Sequence, residues 1–234
     1  MDHSAFGGFS PAAVRFLGEL RMNNTRDWFQ ERREQCRSLL EDPAGLAVEE
    51  WRAGLSRLAG VPLQGKVFRM HRDVRFSRDK TPYNTHLRMS FGECHSADMH
   101  TDRPYWFISL EPERFLIGVG IHAFGSAGMK AWRDAVHDDT RGKALERLLK
   151  PLLDSGAQHS QPELKKVPTG YPADHTRAHL MKCKGMAVWF DMPHPAELFG
   201  AGATGFCLAT WKTQLPVYKW LGSLMPGSGA VHGL

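Results

Sequence analysis

The sequence predicts an α+β fold, with N-terminal helices, a central and mainly antiparallel sheet, and C-terminal helices. Hydrophobic residues recur at helical spacing over residues 1–62 and again after residue 126, whereas the segment between them alternates polar and apolar residues in short runs. Helices and strands that are segregated along a chain are typical of this class. At 234 residues, 42% of them hydrophobic, the chain is expected to form a single domain over residues 1–234.

The N-terminal part contains three predicted helices. Ser10 and Pro11 are typical of a helix start, because a hydroxyl cap is followed by proline at the first helical position. Thr25 is predicted to cap a second helix after the sequence MNNT. Pro43 is predicted to begin a third helix, which Gly60 ends.

The central part contains the predicted strands. The sequence KVFRMHRDVRFS, residues 66–77, alternates imperfectly and predicts a strand with one wet or ligand-facing surface. A second strand is predicted over residues 85–91, and residues 105–124 predict a hairpin that turns at residues 111–114. The sequence VWF at residues 188–190 predicts a closing strand.

The C-terminal part is predicted to be mainly helical. The sequences GMKAWRDAVHD and GKALERLLKPLLD predict two helices, and KKVPTGYPADH predicts a loop. A last helix is predicted over residues 206–224, and residues 225–234 are expected to be a flexible tail.

The positive charge of the chain is concentrated in one short region. The chain has 30 basic and 25 acidic residues, and its entire formal excess of +5 falls within residues 65–90, which hold seven cationic and two acidic side chains. A diffuse basic coat would attract polyanions generally. A focused excess indicates a local anion site.

Composition also predicts where the protein resides. The four cysteines are scattered without a C-x-x-C pair, the first twenty residues lack the pattern of a signal peptide, and no apolar run is long enough to span a bilayer. We therefore expect a soluble cytoplasmic protein that does not enter a membrane. The sequence leaves the oligomeric state open.

Several near matches to functional motifs fail on physical grounds. GVPLQGKV lacks the hydroxyl of a phosphate-binding loop and precedes a predicted strand instead of a helix. HRD at residues 71–73 lacks the other parts of a kinase site, and GAGATG at residues 200–205 does not follow a clear strand. The cofactor, if there is one, is therefore unknown. The sequence ECHSADMH offers Glu93, Cys94, His95, Asp98 and His100, but their spacing matches no established metal site, and no metal is predicted.

The sequence resembles, in order along nearly the whole chain, a family of conserved uncharacterised proteins of bacteria and fungi, a domain of unknown function. The resemblance is carried by FGGF, NNTRDWF, FRMHRDVRFSRDKTPYNTH, GVG and LKKVPTGY, and most specifically by the pattern FRxxRDxRFSxDKxPY. It implies one domain and a site in the arginine-rich stretch, with no defined reaction. The family pattern selects these positions: Asn24, Trp28, Phe29, Phe68, Arg69, Arg72, Asp73, Arg75, Phe76, Ser77, Asp79, Lys80, Pro82, Tyr83, Lys165, Pro168, Gly170 and Lys184.

The predicted site is an Arg/Lys/Asp-lined pocket for an anionic small molecule that bears a phosphate or a carboxylate. Guanidinium groups bind such groups through a planar, permanently charged fork. On a strand, Arg69 and Arg75 would share one face with Asp73 between them, and Arg72 would join them through a bulge. The predicted ligand-binding residues are Arg69, Arg72, Asp73, Arg75, Ser77 and Lys184. Asp79, Lys80 and Tyr83 are the residues predicted to exchange protons if catalysis occurs.

Other interpretations of the same stretch remain open. The arginines and aspartates can form a structural network, whose disruption is costly when it is buried. The basic residues interleaved with Phe68, Phe76 and Tyr83 can also bind nucleic acid, and an acidic partner protein is a third alternative. Tyr105, Trp106 or His122 could complete a pocket with a flat surface or a proton carrier. Whether the protein is an enzyme is left undecided.

Overall fold

A computed structural model describes residues 5–93 and 102–225, and it has the predicted α+β architecture. The helices are α1 Pro11–Met22, α2 Arg26–Glu31, α3 Arg33–Cys36, α4 Asp42–Ala59, α5 Ser126–His137, α6 Asp139–Asp154, α7 Ala178–Met181 and α8 Ala203–Gly222. The strands are β1 Gln64–Val67, β2 Leu87–Gly92, β3 Tyr105–Leu110, β4 Phe115–Ile121, β5 Gln158–His159 and β6 Met186–Met192. The residues of ECHSADMH after Glu93 and the predicted tail from residue 226 onward lie outside the described residues.

The caps predicted for the first two helices are confirmed. The Ser10 hydroxyl accepts a hydrogen bond from the backbone N–H of Ala13 at 3.2 Å, and the Thr25 hydroxyl accepts one from that of Trp28 at 3.3 Å. Pro43 does not restart a separate helix, because a π-helical turn over residues 37–41 leads directly into α4. Its missing N–H lies in the first turn of α4, where no helical partner is required.

The sheet is antiparallel throughout, in the order β1-β2-β3-β4-β6-β5. The predicted hairpin is confirmed, since β3 and β4 pair directly and turn over residues 111–114. Residues 188–190 lie in β6, as predicted, and β6 pairs with β4. The last predicted helix corresponds to α8.

The two faces of the sheet have different environments. Met89, Ile108, Ile117 and Val188 point to one face and are fully or almost fully buried, with α8 packed against it. The alternate positions point to the opposite face, which forms the wall of a groove. The single-domain organisation remains a prediction, which is favoured by one cluster of buried hydrophobic residues shared by the N-terminal helices, the sheet and α8.

The strand predicted over residues 66–77 is wrong, because β1 ends at Val67. Residues 68–86 instead form an irregular two-stranded ribbon that extends from β1 and β2. Backbone N–H groups of Phe68, Arg72 and Asn84 donate to the carbonyls of Arg88, Pro82 and Met70, at 2.9, 2.8 and 2.6 Å. We call residues 68–86 the arginine ribbon and residues 73–81 its tip.

Two aspartates shape the tip of the ribbon, where the backbone pairing of the ribbon stops. The Asp73 carboxylate accepts the N–H of Arg75 at 3.2 Å, and the Asp79 carboxylate accepts that of Thr81 at 2.9 Å. Side-chain bonds to a backbone N–H two residues on are typical of turns, and they compete with a strand ladder. No helix among residues 5–93 and 102–225 is long and apolar enough to cross a membrane.

Candidate functional site: a groove on the sheet face

The groove lies on the face of the sheet that α8 leaves uncovered. Its volume is about 660 Å³, which lies within the range of about 300–1,000 Å³ that is usual for small-molecule sites. Its lining residues come from β2, β3, β4 and β6 and from the segments that follow β1, β4 and β5 or precede β6: Phe68, Arg88, Met89, Ser90, Tyr105, Phe107, Ile108, Ser109, Leu116, His122, Ala123, Ser160, Gln161, Glu163, Lys184, Ala187 and Trp189.

Aromatic side chains form much of the floor. Phe107 on β3 and Trp189 on β6 flank Gly118 of β4 in the same register row. A methyl group at Gly118 would lie 2.6 Å from both the Phe107 ring and the Trp189 Cβ, so the glycine allows these side chains to close over the strand. Tyr105 follows at 6.1 Å from Phe107 between ring centroids. The result is a largely apolar surface lined by aromatic rings.

Two cationic side chains border this floor. Arg88 and Lys184 are exposed, and neither side chain forms an ion pair with a carboxylate in the described part of the chain. Burial raises the pKa of Tyr105 to about 12, and the nearby Arg88 guanidinium opposes that rise. Arg88 is therefore close enough to the floor for its charge to act on a group bound there.

Polar groups are gathered at the far end of the groove. The Glu163 carboxylate accepts the backbone N–H of Lys184 at 3.1 Å, and the Ser160 hydroxyl accepts that of Ala187 at 2.9 Å. His122 is exposed at the end of β4 beside them. These contacts fix the segment that carries Lys184 against the sheet.

The arginine ribbon is attached to the N-terminal helices by one asparagine. The Asn24 amide donates to the Tyr83 carbonyl at 2.9 Å and accepts the Tyr83 N–H at 3.0 Å, as a neighbouring strand would. The Tyr83 ring is buried and stacks on Phe29 at 3.9 Å, and it contacts His71 at 4.9 Å. Tyr83 therefore anchors the ribbon.

Arg72 is bound within the ribbon. Its guanidinium contacts the Asp79 carboxylate at 2.5 Å and also donates to the hydroxyl and the carbonyl of Thr81. The N–H of Thr81 and the Arg72 guanidinium lower the pKa of Asp79 to about 2. At neutral pH this carboxylate is ionised, so it cannot act as a proton donor.

Arg75 is paired separately. Its guanidinium donates to both Asp73 oxygens, the shortest contact being 2.6 Å, and this pairing lowers the pKa of Asp73 to about 2. Arg69 is exposed near the same carboxylate. The Lys80 ammonium donates to the Val74 carbonyl at 2.9 Å, and the Ser77 N–H donates to that carbonyl at 3.3 Å.

A second, smaller pocket of about 390 Å³ lies between the ribbon and the end of α1. Two arginines line it, and each already contacts a carboxylate: Arg72 contacts Asp79, and Arg21 contacts Glu113. An anion entering this pocket would have to compete with carboxylates that are already in place. The larger groove offers cations without that competition.

The predicted arrangement of three arginines on one strand face is not formed. Arg72 and Arg75 lie in separate ion pairs on the ribbon, and only Lys184 of the predicted ligand-binding residues lines the groove. The ligand-binding and proton-exchange roles of the ribbon residues remain predictions. Trp106 does not complete a pocket there, because it is fully buried on the core face, where it stacks on Tyr218 at 4.9 Å.

Sequence reasoning did not single out Phe107 and Trp189, which line the groove. Their signal was the alternation within β3 and β6, which places both on the face opposite the core residues Ile108 and Val188. Tyr105 and His122, which the sequence offered as possible pocket residues, do line the groove.

Residues 12–220 match the model of the conserved hypothetical protein family DUF2461. Because the match covers most of the 234 residues, the chain belongs to this family. A comparison with curated proteins gave no significant match.

Proposed function

We propose that the protein binds an organic anion with a flat apolar body in the groove on the sheet face. The observation that carries the proposal is the combination of an aromatic floor, formed by Phe107 and Trp189, with the exposed cations Arg88 and Lys184, which form no ion pair within residues 5–93 and 102–225. The aromatic rings would bury the apolar body, and the cations would bind its phosphate, carboxylate or sulfonate. The proposed ligand is thus an anion, as the sequence predicts, but its proposed site is the groove and not the arginine ribbon.

The charge balance of the groove supports an anionic ligand. Its lining contains one carboxylate, that of Glu163, against the two cationic side chains. The second pocket provides no comparable excess, since its arginines are paired with carboxylates. Specific ligand sites usually combine an apolar lining with a few polar groups that fix orientation, and this groove has that composition.

A fluorescent aromatic sulfonate, 8-anilinonaphthalene-1-sulfonate, tests the proposal directly, because it joins a flat body to one negative charge. Its fluorescence and its heat of binding should report one site on the folded protein. Charge reversal of the cation that contacts the single sulfonate, by Arg88→Glu or Lys184→Glu, should weaken binding about tenfold or more, because it places a carboxylate beside that sulfonate, and reversal of the other cation should weaken binding less. Thermal unfolding of each variant establishes that it is folded.

Matched controls lie on the helical side of the molecule. Arg57→Glu and Lys212→Glu reverse exposed charges of α4 and α8, outside the groove. They should leave probe binding unchanged within about twofold. Equal losses in all four variants would mean that net charge alone attracts the probe, and the proposed site would be wrong.

A further inference from the structure

The two cationic residues of the groove, Arg88 and Lys184, lie near opposite ends of β4 instead of converging on one point. Arg88 lies opposite Ser109, which in turn pairs with Leu116 of β4. Lys184 lies beyond the other end of β4, where its carbonyl accepts the N–H of Phe124 at 2.9 Å. From Leu116 to Ile121 the strand extends over on the order of 16 Å, and a bend then leads to Phe124. One phosphate or carboxylate cannot contact both cations.

Flat aromatic surfaces lie between these two cations. Phe107 and Trp189 are partly exposed on the central strands of the groove. Aromatic side chains on an open sheet face are a common platform for unpaired bases, because every base has a flat face. Along the groove, the cation Arg88 is followed by the aromatic floor and then by the cation Lys184. This order matches a polymer in which negatively charged groups alternate with flat ones.

The same pattern continues from the groove onto the arginine ribbon. Phe68 lines the groove, and the ribbon that starts there carries Phe76, whose side chain is 96% exposed. The Arg75 guanidinium lies 5.9 Å from the Phe76 ring centroid. Arg69 and Arg78 are exposed on the ribbon, and neither forms an ion pair with any carboxylate that the structure describes. Phe68 thus connects the groove to a ribbon that carries further exposed cations and an exposed aromatic ring.

We propose that the ligand of the groove is a single-stranded nucleic acid, which continues along the arginine ribbon. Bases would stack on Phe107, Trp189 and Phe76, and phosphates would contact the cations between them. This inference rests on the proposed function, which it makes more specific. A duplex fits less well, because its bases are hidden from aromatic side chains, and an acidic peptide lacks flat groups to match them.

Fluorescence anisotropy with 5′-fluorescein-labelled dT12 and U12 provides the test. Either strand should displace 8-anilinonaphthalene-1-sulfonate from the groove. Its affinity for the protein should be at least tenfold higher than that of uridine monophosphate. Phe76→Ala, which truncates an exposed side chain, should weaken strand binding about 5-fold or more, through the loss of one stacked base. Neutralisation of three or four phosphates predicts a slope of about −2 to −3 in a plot of log K against log salt concentration.

Two matched controls separate these effects from general changes of the surface. Met22→Ala truncates another exposed apolar side chain, and Arg57→Glu reverses an exposed charge on α4. Both should leave strand binding unchanged within about twofold. Phe76→Ala should also leave probe binding in the groove unchanged, because Phe76 does not line it.

Several outcomes would overturn the inference. If the sulfonate probe binds in the groove but neither strand binds or displaces it, the nucleic-acid inference is wrong while the proposed function stands. If neither the probe nor a strand binds, both are wrong. Displacement by poly-glutamate as effective as that by dT12 would identify an acidic chain as the ligand class instead, and a 12-base-pair duplex that binds as tightly as the single strand would also contradict the inference.

Discussion

Arg72 and Asp79 form an ion pair within the same short loop. The Arg72 side chain is 25% exposed and that of Asp79 is 58% exposed, so water screens the pair and its contribution to global stability is small. Its effect is local: together with Thr81 it closes one side of the ribbon tip. Arg75 and Asp73 close the other side in the same way. Much of the charge that distinguishes this stretch is therefore used to shape its own backbone.

These two carboxylates predict how stability responds to acid. The pKa of Asp73 and that of Asp79 lie at about 2 in the folded protein, below the value of about 3.9 in unfolded chains. A carboxyl group with a lowered folded pKa stabilises the fold above its unfolded pKa, and this contribution is lost as the pH falls to about 2. We expect the melting temperature of the wild-type protein to fall between about pH 5 and pH 2. The melting temperature of Asp79→Asn should fall less over the same range.

The control for this pH series is Asp174→Asn. Asp174 is exposed and forms neither an ion pair nor a hydrogen bond within residues 5–93 and 102–225. Its variant should follow the wild-type curve, whereas Asp79→Asn should start lower at pH 7. An Asp79→Asn curve parallel to wild type throughout would contradict the pairing described for Arg72.

At the scale of elements, the arginine ribbon is fixed to the protein chiefly where Asn24 meets Tyr83. The Asn24 amide occupies both backbone groups of Tyr83, and the Tyr83 ring stacks between the ribbon and Phe29 of α2. Without this amide, the N–H and carbonyl of a buried residue would lose their partners. The attachment therefore links the sequence NNTRDWF to the arginine-rich stretch.

Asn24→Ala should loosen the ribbon while the sheet stays intact. Unsatisfied buried backbone groups cost about 1–3 kcal/mol, so the ribbon should open more readily. Hydrogen exchange should become faster over residues 70–72 and 82–84, and it should be unchanged in β3 and β4. Asn23→Ala is the matched control, because the Asn23 amide donates within its own helix to the Glu19 carbonyl at 2.9 Å. Equal protection of the ribbon in wild type and Asn24→Ala would refute this role.

The elements differ in how far the sequence could predict them. The β3–β4 hairpin was predicted correctly because its alternating residues, such as Ile108 and Phe107, pack on opposite faces of one ladder. The strand over residues 66–77 failed because the chain leaves the regular ladder after Val67, and because the carboxylates of Asp73 and Asp79 accept nearby backbone N–H groups at the ribbon tip. The alternation of polar and apolar residues in the sequence does not show such local hydrogen bonds between side chains and the backbone.

At the scale of the whole molecule, the location of the groove depends on packing that no local pattern contains. The sequence indicates that β3 and β6 have two kinds of residue on their two faces. Which face stays open is decided by α8, which packs against β4 on the side of Ile117. Phe107 and Trp189 consequently line a groove instead of a core, and this could not be predicted before the helices were placed.

In the folded chain, the arginines of residues 65–90 form two groups: some are paired with carboxylates, and others are exposed without such partners in the described ranges. Arg72 and Arg75 are paired with carboxylates, whereas Arg69, Arg78 and Arg88 remain exposed without such partners in the described ranges. The sequence locates the excess of positive charge within residues 65–90. The division between structural and available cations required the three-dimensional arrangement.

We propose that the sheet groove, and not the set of paired arginines on the ribbon, binds the organic anion. A ¹⁵N–¹H chemical-shift map recorded during titration with 8-anilinonaphthalene-1-sulfonate tests this most directly. We expect the largest shifts at residues 88–90, 105–109 and 184–189, together with the indole signal of Trp189. Shifts concentrated at residues 69–81, or no saturable shifts at the groove, would contradict the account.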